Sequence, residues 1–468
     1  MIEASQIEVI VKKILQEVTS KEVSTKNDTA ESKYGIFQDM NDAIEAAAIA
    51  QKELVKYNLE FRSKLIAAMR EAARKNVELF SRMAVDETGM GRYEHKVQKN
   101  ILAIEKTPGI EDLRSEAMTG DDGLTLIELS PYGVIGAITP TTNPTETVIC
   151  NAIGMIAAGN AVVFAPHPRA KNTSRKAIEI LNQAIIEAGG PANLITAITE
   201  PTIDSANIMM QHKKVKMLVA TGGPDVVRTV LSSGKKAIGA GAGNPPAVVD
   251  ETADIEKAAR DIVNGCSFDN NLPCIAEKEV IVVDSVADYL IFNMKKNNAY
   301  ELKDEELIKK LEKLVFNEKG HLNRDFVGKN ADFILKKLGI DCDPSVKAII
   351  LETNKEHIFV QEELMMPILP IVRVKNVDEA IELAVEVEHG YRHTAIMHSK
   401  NIDSLTKMAK AIQTTIFVKN GPSYAGIGVG GEGYTTFTIA GPTGEGLTSA
   451  KSFARVRRCV LVDGFSIK

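Results

Sequence analysis

The stretch FDNNLPCIAEK, residues 268–278, places a cysteine directly after a proline and just downstream of two asparagines. A catalytic thiolate needs access and nearby hydrogen-bond donors, and a loop on a rigid scaffold supplies both. The polar residues before Cys274 favour such a loop. Most free cysteines are inert small hydrophobes. These residues alone therefore do not decide whether Cys274 is a nucleophile or a core thiol. Cys266, which follows a helical pattern, is predicted to belong to the core.

A second candidate, Asn143, lies in ITPTTNPTE, where a predicted strand ends at Ile138 and Pro140 and Pro144 stiffen a short turn. An asparagine just ahead of a helix is commonly an N-cap. Its amide is also a fixed N–H donor at the carboxyl end of a parallel strand, where α/β sheets bind ligands. Such a donor can stabilise an oxyanion, and the residues alone leave both interpretations open.

Two glycine-containing turns could lie close to a ligand. In VATGGPDVV, residues 219–227, glycines between a strand and a helix free backbone N–H groups to face a phosphate. GAGAGNPP, residues 239–246, permits a similarly close approach of the backbone. Neither is a G-x-G-x-x-G fingerprint, so each is only a weak indication of nucleotide binding.

Other common catalytic arrangements are missing from the sequence. His389 and His393 stand four apart, but Gly390 breaks a helix there and no carboxylate pattern completes a zinc site. No G-x-S-x-G elbow supports a Ser-His-Asp triad. The five cysteines are widely spaced without a C-x-x-C pair, which argues against disulfides and for a reducing cytosol. We therefore predict no metal centre.

The elements that must position these residues alternate between helices and strands. Residues 34–92 carry apolar residues every three or four positions, which predicts helices. Residues 126–140 predict one strand that ends in a turn, and the βαβ rhythm that follows predicts parallel sheets with right-handed crossovers. VICNAIGMIAAGNAVVF is the most apolar stretch, but Asn151 and Asn160 interrupt it, so it predicts a buried helix entering a strand rather than a membrane span.

Composition narrows the function classes. The 468 residues suit two or three domains. The net charge of −6, the lack of a long basic run and the lack of tryptophan argue against nucleic acid and membrane partners. Residues 1–18 predict a short amphipathic helix without the features of a secretory signal, and the polar residues 19–34 predict a linker. The helix is either domain-swapped or docked on the protein's own surface, or it binds a helix of another protein.

Four longer motifs resemble one known family. They are SPYGVIGAITPTTNPTETVICNAIGMIAAGNAVVF, GAGAGNPPAVVD, CSFDNNLPCIAEKEV and ELMMPILPIVRV. Together they resemble the coenzyme-A-acylating branch of the aldehyde dehydrogenase superfamily, over residues 35–460. The N-terminal helix and linker resemble the encapsulation peptides of the propionaldehyde and acetaldehyde enzymes of bacterial microcompartments.

The resemblance implies roles for individual residues. Cys274 matches the family's nucleophile, and Asn143 matches its oxyanion-hole side chain, which works with the backbone N–H of Cys274. Glu363 in QEELMMP matches the acid that holds the nicotinamide ribose. The implied cofactors are NAD or NADP, together with coenzyme A. The further cofactor-binding positions are Thr139, Pro140, His167, Thr221, Gly222 and Gly223.

Two departures from the family pattern bear on the chemistry. Hydrolytic members carry a general-base glutamate where this sequence has Ala240. Without that base water is poorly activated, and the thioacyl enzyme should wait for the more nucleophilic thiol of coenzyme A. The lysine that usually binds the adenosine ribose in the family is replaced by Ala165 here. The choice between NAD and NADP is therefore not determined, and His167 is expected near the adenine end of the cofactor.

The sequence therefore predicts an α/β protein of the aldehyde dehydrogenase type, with Rossmann-like parallel sheets in two domains and an oligomerisation extension. Residues 35–243 are predicted to bind the cofactor, 244–435 to form the catalytic domain and 436–468 to contribute to oligomerisation. The expected reaction converts a short aliphatic aldehyde, coenzyme A and NAD(P)⁺ reversibly to acyl-coenzyme A. We expect a homodimer or homotetramer in the cytoplasm, within a microcompartment lumen, with residues 1–18 contacting the shell or a lumen protein.

Two alternatives remain at this point. One is a hydrolytic or semialdehyde-specific aldehyde dehydrogenase, against which Ala240 speaks. The other is a microcompartment scaffold or cargo protein that has lost catalysis. A damaged site would be its signature, yet Cys274, Asn143 and Glu363 are all present.

Overall fold

The computed structural model describes residues 33–318 and 320–467. Its first half comprises β1 (Ile36–Phe37), α1 (Met40–Leu54), α2 (Leu59–Lys75), α3 (Val77–Thr88), α4 (Tyr93–Lys106), β2 (Glu116–Gly120), β3 (Gly123–Pro131), β4 (Val134–Thr139), α5 (Pro144–Ala157), β5 (Ala161–Pro166), α6 (Lys171–Glu187), β6 (Ile195–Ile198), α7 (Ile203–Gln211), β7 (Val215–Thr221), α8 (Pro224–Leu231) and β8 (Lys236–Ala240).

The second half comprises β9 (Pro246–Val249), α9 (Ile255–Ser267), β10 (Glu279–Val283), α10 (Asp284–Lys296), β11 (Ala299–Glu301), α11 (Glu305–Val315), α12 (Ala331–Leu338), β12 (Ala348–Glu352), α13 (Ile358–Gln361), β13 (Ile368–Val374), α14 (Val377–Val387), β14 (Thr394–His398), α15 (Ile402–Ile412), β15 (Ile416–Lys419), β16 (Ile439–Ala440), β17 (Gly446–Leu447) and β18 (Ala454–Val462). Short 3₁₀ helices include Pro168–Ala170, Phe268–Asn271 and Ser423–Ile427.

The first sheet has six parallel strands in the order β1-β6-β5-β4-β7-β8. The chain winds outward from β4 through β5 to β6, then crosses back to place β7 on the other side of β4. The strand order therefore reverses between β4 and β7, and an open α/β sheet binds its ligands at the carboxyl ends of the strands at such a point.

The second sheet has seven parallel strands in the order β11-β12-β13-β10-β9-β14-β15. Helices α9, α10, α14 and α15 connect its strands, as the predicted βαβ rhythm requires. The α/β class and the parallel sheets are confirmed. Helices α1–α3 confirm the helical interpretation of residues 34–92.

A third sheet corrects one prediction. Residues 126–140 are not one strand, because β3 pairs antiparallel with β2 and β18, whereas β4 belongs to the six-stranded sheet. The chain turns at Gly133, whose φ of 123° is open to glycine. The buried Asn160 side chain accepts hydrogen bonds from the backbone N–H of Tyr132, at 2.8 Å, and of Gly133, at 3.0 Å. That contact comes from a residue distant in sequence, which periodicity cannot reveal.

The apolar stretch around Asn151 folds as expected. Every residue of α5 is buried, and β5 follows it directly into the six-stranded sheet. In the part of the chain that the structure describes, no helix is long and apolar enough to cross a membrane. Residues 1–18, and the linker up to residue 32, lie outside the described residues, and the boundaries at 243 and 435 stay predictions.

Candidate active site

The loop that carries Cys274 is rigid because of the polar residues that precede it. Asp269, Asn270 and Asn271 have φ values of 49°, 55° and 65°, the left-handed region that Asp and Asn tolerate best among residues other than glycine. Asn271 Nδ2 donates to the carbonyls of Cys266 and Glu277, at 2.9 Å each. The loop therefore turns back on itself just before the half-buried Cys274. Cys266 lies fully buried in α9, as predicted.

Four loops converge at the amino edge of the seven-stranded sheet. Gly243 precedes β9, Cys274 precedes β10, Glu363 precedes β13 and His393 precedes β14, and these four strands are neighbours. A Cβ atom on Gly243 would stand 2.7 Å from the Cys274 carbonyl oxygen and 2.9 Å from His393 Cγ. Gly243 therefore lets the cysteine loop and the histidine lie against the same stretch of backbone.

Burial and a nearby negative charge favour the protonated form of the Cys274 thiol. Burial and the negative charge of Glu363 together raise the pKa of the Cys274 thiol to about 12, although Lys278 opposes both. Lys278 is buried, donates to Asn271 Oδ1 at 2.6 Å and lies 3.8 Å from Glu363 Oε1. Burial also raises the pKa of Glu363, against the Lys278 charge and the Gly243 N–H.

This electrostatic arrangement predicts how the thiol responds to pH and to substitution. Alkylation of Cys274 by iodoacetamide should accelerate with pH throughout the neutral range, because only the thiolate reacts. Glu363→Gln should lower the pKa of Cys274 and speed alkylation at a fixed pH by about threefold to tenfold, since one pKa unit is a tenfold change in thiolate. Mass spectrometry of the Cys274 peptide measures the rate, with Glu362→Gln as control. An unchanged or slower rate in Glu363→Gln would refute this electrostatic account.

Asn143 stands ahead of α5 but does not cap it. Its side chain makes no capping hydrogen bond, so the N-cap interpretation is wrong for the side chain. Instead Oδ1 accepts from the buried Lys99 Nζ at 2.6 Å, and Nδ2 donates to Thr142 Oγ1 at 3.2 Å. The amide orientation is thereby defined, because only Oδ1 can accept from an ammonium. Nδ2 carries a second hydrogen that can serve a ligand.

The other predicted cofactor residues lie at the carboxyl edge of the six-stranded sheet. Thr139 ends β4 and Thr221 ends β7, so they flank the point where the strand order reverses. Thr139 Oγ1 is buried without a hydrogen-bond partner among the described residues, which suits a polar ligand there. Pro140 follows Thr139, and His167 donates its backbone N–H to the Thr139 carbonyl at 3.1 Å.

In the turn after β7, some polar groups already have hydrogen-bond partners within the protein and others face open space. The Thr221 hydroxyl lies 2.8 Å from the Thr438 hydroxyl, and the Gly222 N–H donates to the Ala240 carbonyl at 3.1 Å. Gly223 is exposed at the start of α8, and open space surrounds both glycines. Because glycine has no side chain, the backbone N–H groups at the start of a helix can come close to a phosphate there. The residues at this edge therefore fit a dinucleotide, although the Thr221 hydroxyl and Gly222 N–H already have partners within the protein.

His167 occupies the end of β5 at the same edge. Its exposed ring accepts a hydrogen bond at Nδ1 from the Arg169 N–H, at 3.1 Å. Partial burial lowers the pKa of His167, and the charges of Arg169 and Arg324 lower it further. These positively charged surroundings suit the phosphate-bearing end of a nucleotide better than the uncharged adenine ring.

Sequence reasoning missed three residues near the candidate nucleophile. Lys99 and Lys278 are buried lysines, and the carboxylate partner of each, Asp269 and Glu363 respectively, comes from a distant segment, so no local pattern marks them. His393 was considered only as a metal ligand. Its Nδ1 lies 2.8 Å from Thr394 Oγ1, its Nε2 is buried without a hydrogen-bond partner among the described residues, and burial lowers its pKa to about 4. It is therefore a neutral ring at physiological pH.

Ala240 ends β8 and is buried. Its methyl group cannot accept a proton, and its assignment to the position of the hydrolytic base stays a prediction. Across residues 33–318 and 320–467 no cluster of three or more His, Cys, Asp or Glu residues could hold a metal ion.

The chain belongs to the aldehyde dehydrogenase family, whose family model matches residues 12–438. It is 49% identical to the acetaldehyde dehydrogenase (acetylating) EutE of Escherichia coli K12, over 98% of this chain and 99% of the relative. A crystal structure of Rhodopseudomonas palustris propionaldehyde dehydrogenase, with bound CoA and an acylated cysteine, matches with 62% identity and a TM-score of 0.92, over 93% of this chain and 99% of that one.

A third similar protein is the propionaldehyde dehydrogenase from the fucose utilisation bacterial microcompartment of Clostridium phytofermentans. Its structure is 56% identical and matches with a TM-score of 0.91, over 93% of this chain and 100% of that one. The resemblance inferred from the four motifs is thus confirmed over nearly the whole chain.

Proposed function

We propose that this protein is a coenzyme-A-acylating aldehyde dehydrogenase that converts a short aliphatic aldehyde, coenzyme A and NAD(P)⁺ reversibly to acyl-coenzyme A and NAD(P)H. The observation that carries the proposal is Cys274 on its rigid loop, together with the resemblance that assigns Ala240 to the position of the hydrolytic base. The acetylating relative and the acylated cysteine of the Rhodopseudomonas enzyme support the same chemistry. A nucleophile without a water-activating base favours transfer of the acyl group to a thiol.

In the proposed mechanism the Cys274 sulfur attacks the aldehyde carbonyl and its proton leaves to solvent. The resulting oxyanion accepts hydrogen bonds from Asn143 Nδ2 and from the Cys274 backbone N–H. Glu363 would hold the ribose of a bound nicotinamide cofactor, whose ring would supply the hydride acceptor. Loss of the hydride from the carbonyl carbon leaves an acyl group in thioester linkage to Cys274.

The second half of the reaction regenerates the free thiol of Cys274. The thiol of coenzyme A adds to the thioester carbonyl, and the same two N–H donors stabilise the second oxyanion. The carbon–sulfur bond to Cys274 then breaks, and the cysteine sulfur takes up a proton as acyl-coenzyme A leaves. In this sequence Ala240 protects the thioester by leaving water without a base.

The proposal predicts that turnover depends on coenzyme A. Purified protein with propionaldehyde and NAD⁺ should reduce about one cofactor per active site and then stop, because the thioester has no efficient acceptor. Adding coenzyme A should restore steady turnover, followed as absorbance of the reduced cofactor. Steady turnover without coenzyme A would favour the hydrolytic alternative. Substituting NADP⁺ in the same assay decides the cofactor preference.

The Clostridium relative and the sequence of residues 1–18 support a place for this enzyme in a bacterial microcompartment lumen. In this proposal residues 1–18 dock on a shell or lumen protein, and 19–34 are a linker. Fusion of residues 1–18 to a fluorescent reporter tests the docking. A reporter that never co-purifies with shells would refute it.

The proposed organisation assigns residues 35–243 to cofactor binding, 244–435 to catalysis and 436–468 to oligomerisation. Exposed valines on β18 support the last assignment, since Val456 and Val462 are 72% and 65% exposed and stand on a strand that is exposed over nearly its whole length. Apolar residues at such exposure favour contact with a second copy of the chain. Light scattering tests the predicted homodimer or homotetramer.

A further inference from the structure

Beneath Asn143 lies a buried cluster of four charged side chains. Lys96 and Lys99 point inward from α4, Asp269 comes from the cysteine loop and Glu146 from α5. All four are fully buried. Lys99 Nζ lies 2.6 Å from Asp269 Oδ2 and 3.3 Å from Glu146 Oε1, and Lys96 Nζ lies 2.9 Å from Asp269 Oδ2.

The charges of Asp269 and Lys99 are stabilised by their neighbours in this cluster, whereas burial outweighs those neighbours at Lys96 and lowers its pKa. Burial and the two lysines act in opposite directions on Asp269, and the lysines prevail, so the pKa of its carboxyl is lowered. Burial lowers the pKa of Lys99, but the attraction of Asp269 and Glu146 outweighs it and leaves that pKa raised. Lys99 is therefore a cation in the folded protein.

Lys99 differs from Lys96 in one contact. Both lysines approach the Thr142 carbonyl, Lys96 at 2.6 Å and Lys99 at 3.3 Å. Only Lys99 also donates to Asn143 Oδ1, at 2.6 Å. A full positive charge at the amide oxygen draws electron density from the conjugated amide nitrogen, which makes Nδ2–H a stronger donor. It also prevents the flipped orientation, in which Nδ2 would face the ammonium.

The same lysine connects the two donors of the oxyanion site. Asp269 stands five residues before Cys274, and its Oδ1 accepts from the Arg92 N–H at 2.9 Å while its own N–H donates to His95 Nδ1 at 2.8 Å. The cysteine loop is thus anchored to the start of α4. Lys99, on the same helix, contacts both Asp269 and Asn143.

We propose that Lys99 is a positioning residue for the oxyanion site, which orients and polarises the Asn143 amide and fixes it relative to the cysteine loop through Asp269. This inference rests on the proposed function, because the amide acts only if an oxyanion forms on the substrate of Cys274. Lys99 itself does not contact the reacting atoms. Its effect on catalysis must therefore pass through Asn143.

A double-mutant cycle tests this route. In the chain with Asn143, Lys99→Met should lower kcat/KM by about tenfold or more, a part of the effect of losing an oxyanion donor outright. In the Asn143→Ala background the same change should cost about twofold or less, because the side chain it positions is gone. The Kd for NAD⁺ should stay within about twofold in every variant. The substitutions weaken stabilisation of the oxyanion, which forms only during the reaction, so binding of the cofactor before the reaction should be intact.

Lys96→Met is the matched control, because it removes an equally buried lysine from the same ion cluster. Its cost should be the same in the presence and absence of Asn143. An equal cost of Lys99→Met in both backgrounds would overturn the proposal and mark Lys99 as a structural residue. Absence of coenzyme-A-dependent turnover in the unmodified protein would instead refute the proposed function.

Removing one charge can unfold a buried cluster, so two further variants keep the test decisive. Lys99→Met with Glu146→Gln removes one charge of each sign and leaves the Lys96–Asp269 pair, and it is compared with Glu146→Gln alone in the same cycle. Asn143→Asp leaves the lysine untouched and places a carboxylate beside it. Its midpoint of thermal unfolding should exceed that of Asn143→Ala, and an equal or lower midpoint would overturn the proposed contact.

Discussion

Replacing Cys274 with alanine is expected to abolish aldehyde oxidation while the protein remains folded. The loss should be roughly 10⁶-fold in kcat, the scale seen when a covalent catalyst loses its nucleophile. The reason is that hydride can leave only from a carbon that the sulfur has already attacked, so no slower route bypasses the missing atom. Steady-state reduction of NAD⁺ with propionaldehyde and coenzyme A measures the loss.

The control for this prediction is Cys342→Ala, which removes another half-buried thiol from the loop before β12. It should retain the activity of the unmodified protein. Circular dichroism and the unfolding midpoint should show that both variants fold. Substantial turnover in a folded Cys274→Ala protein would remove Cys274 from the mechanism.

Replacing Asn143 with alanine is expected to lower kcat by roughly 10²- to 10³-fold, the typical loss of one oxyanion-hole donor. The Nδ2–H bond strengthens as negative charge develops on the carbonyl oxygen, so it stabilises the transition state more than the bound aldehyde. Cofactor affinity should be little changed, because the Asn143 amide contacts Thr142 and Lys99, neither of which is a predicted cofactor-binding residue.

Single-turnover kinetics distinguish stabilisation of the oxyanion by Asn143 from a purely structural role. Both acylation of Cys274 and attack by coenzyme A pass through an oxyanion, so Asn143→Ala should slow both steps. Thr142→Ala, which removes the hydroxyl partner of Nδ2, serves as the neighbouring control and should have a smaller effect. A loss confined to NAD⁺ binding, with both chemical steps unchanged, would contradict the role assigned to Asn143.

Much of the fold could be predicted because its signals are local. The helical spacing of residues 34–92 and the alternation of strands and helices depend on neighbouring residues only, and both are confirmed. The division between β3 and β4 could not be predicted in this way. It depends on the Asn160 side chain, which accepts hydrogen bonds from the backbone at Tyr132 and Gly133.

In the candidate site, too, residues with local signals could be predicted and residues with distant partners could not. Local composition marked Cys274 as a loop thiol and Asn143 as an N-cap or an oxyanion donor, and the family resemblance favoured the catalytic interpretations and added Glu363. Lys99 could not be found, because its four partners come from the turn before α5, from α5 itself and from the cysteine loop. Its immediate sequence neighbours, Gln98 and Asn100, are polar, so its sequence setting resembles that of an exposed lysine.

The most direct test of the account is to trap the acyl group. The protein is incubated with propionaldehyde and NAD(P)⁺ without coenzyme A, quenched in acid and digested for peptide mass spectrometry. We predict a propionyl mass on the peptide that carries Cys274, and its loss, with formation of propionyl-coenzyme A, when coenzyme A is added before the quench. An unmodified Cys274 peptide after cofactor reduction, or an acyl group that coenzyme A does not remove, would contradict the account.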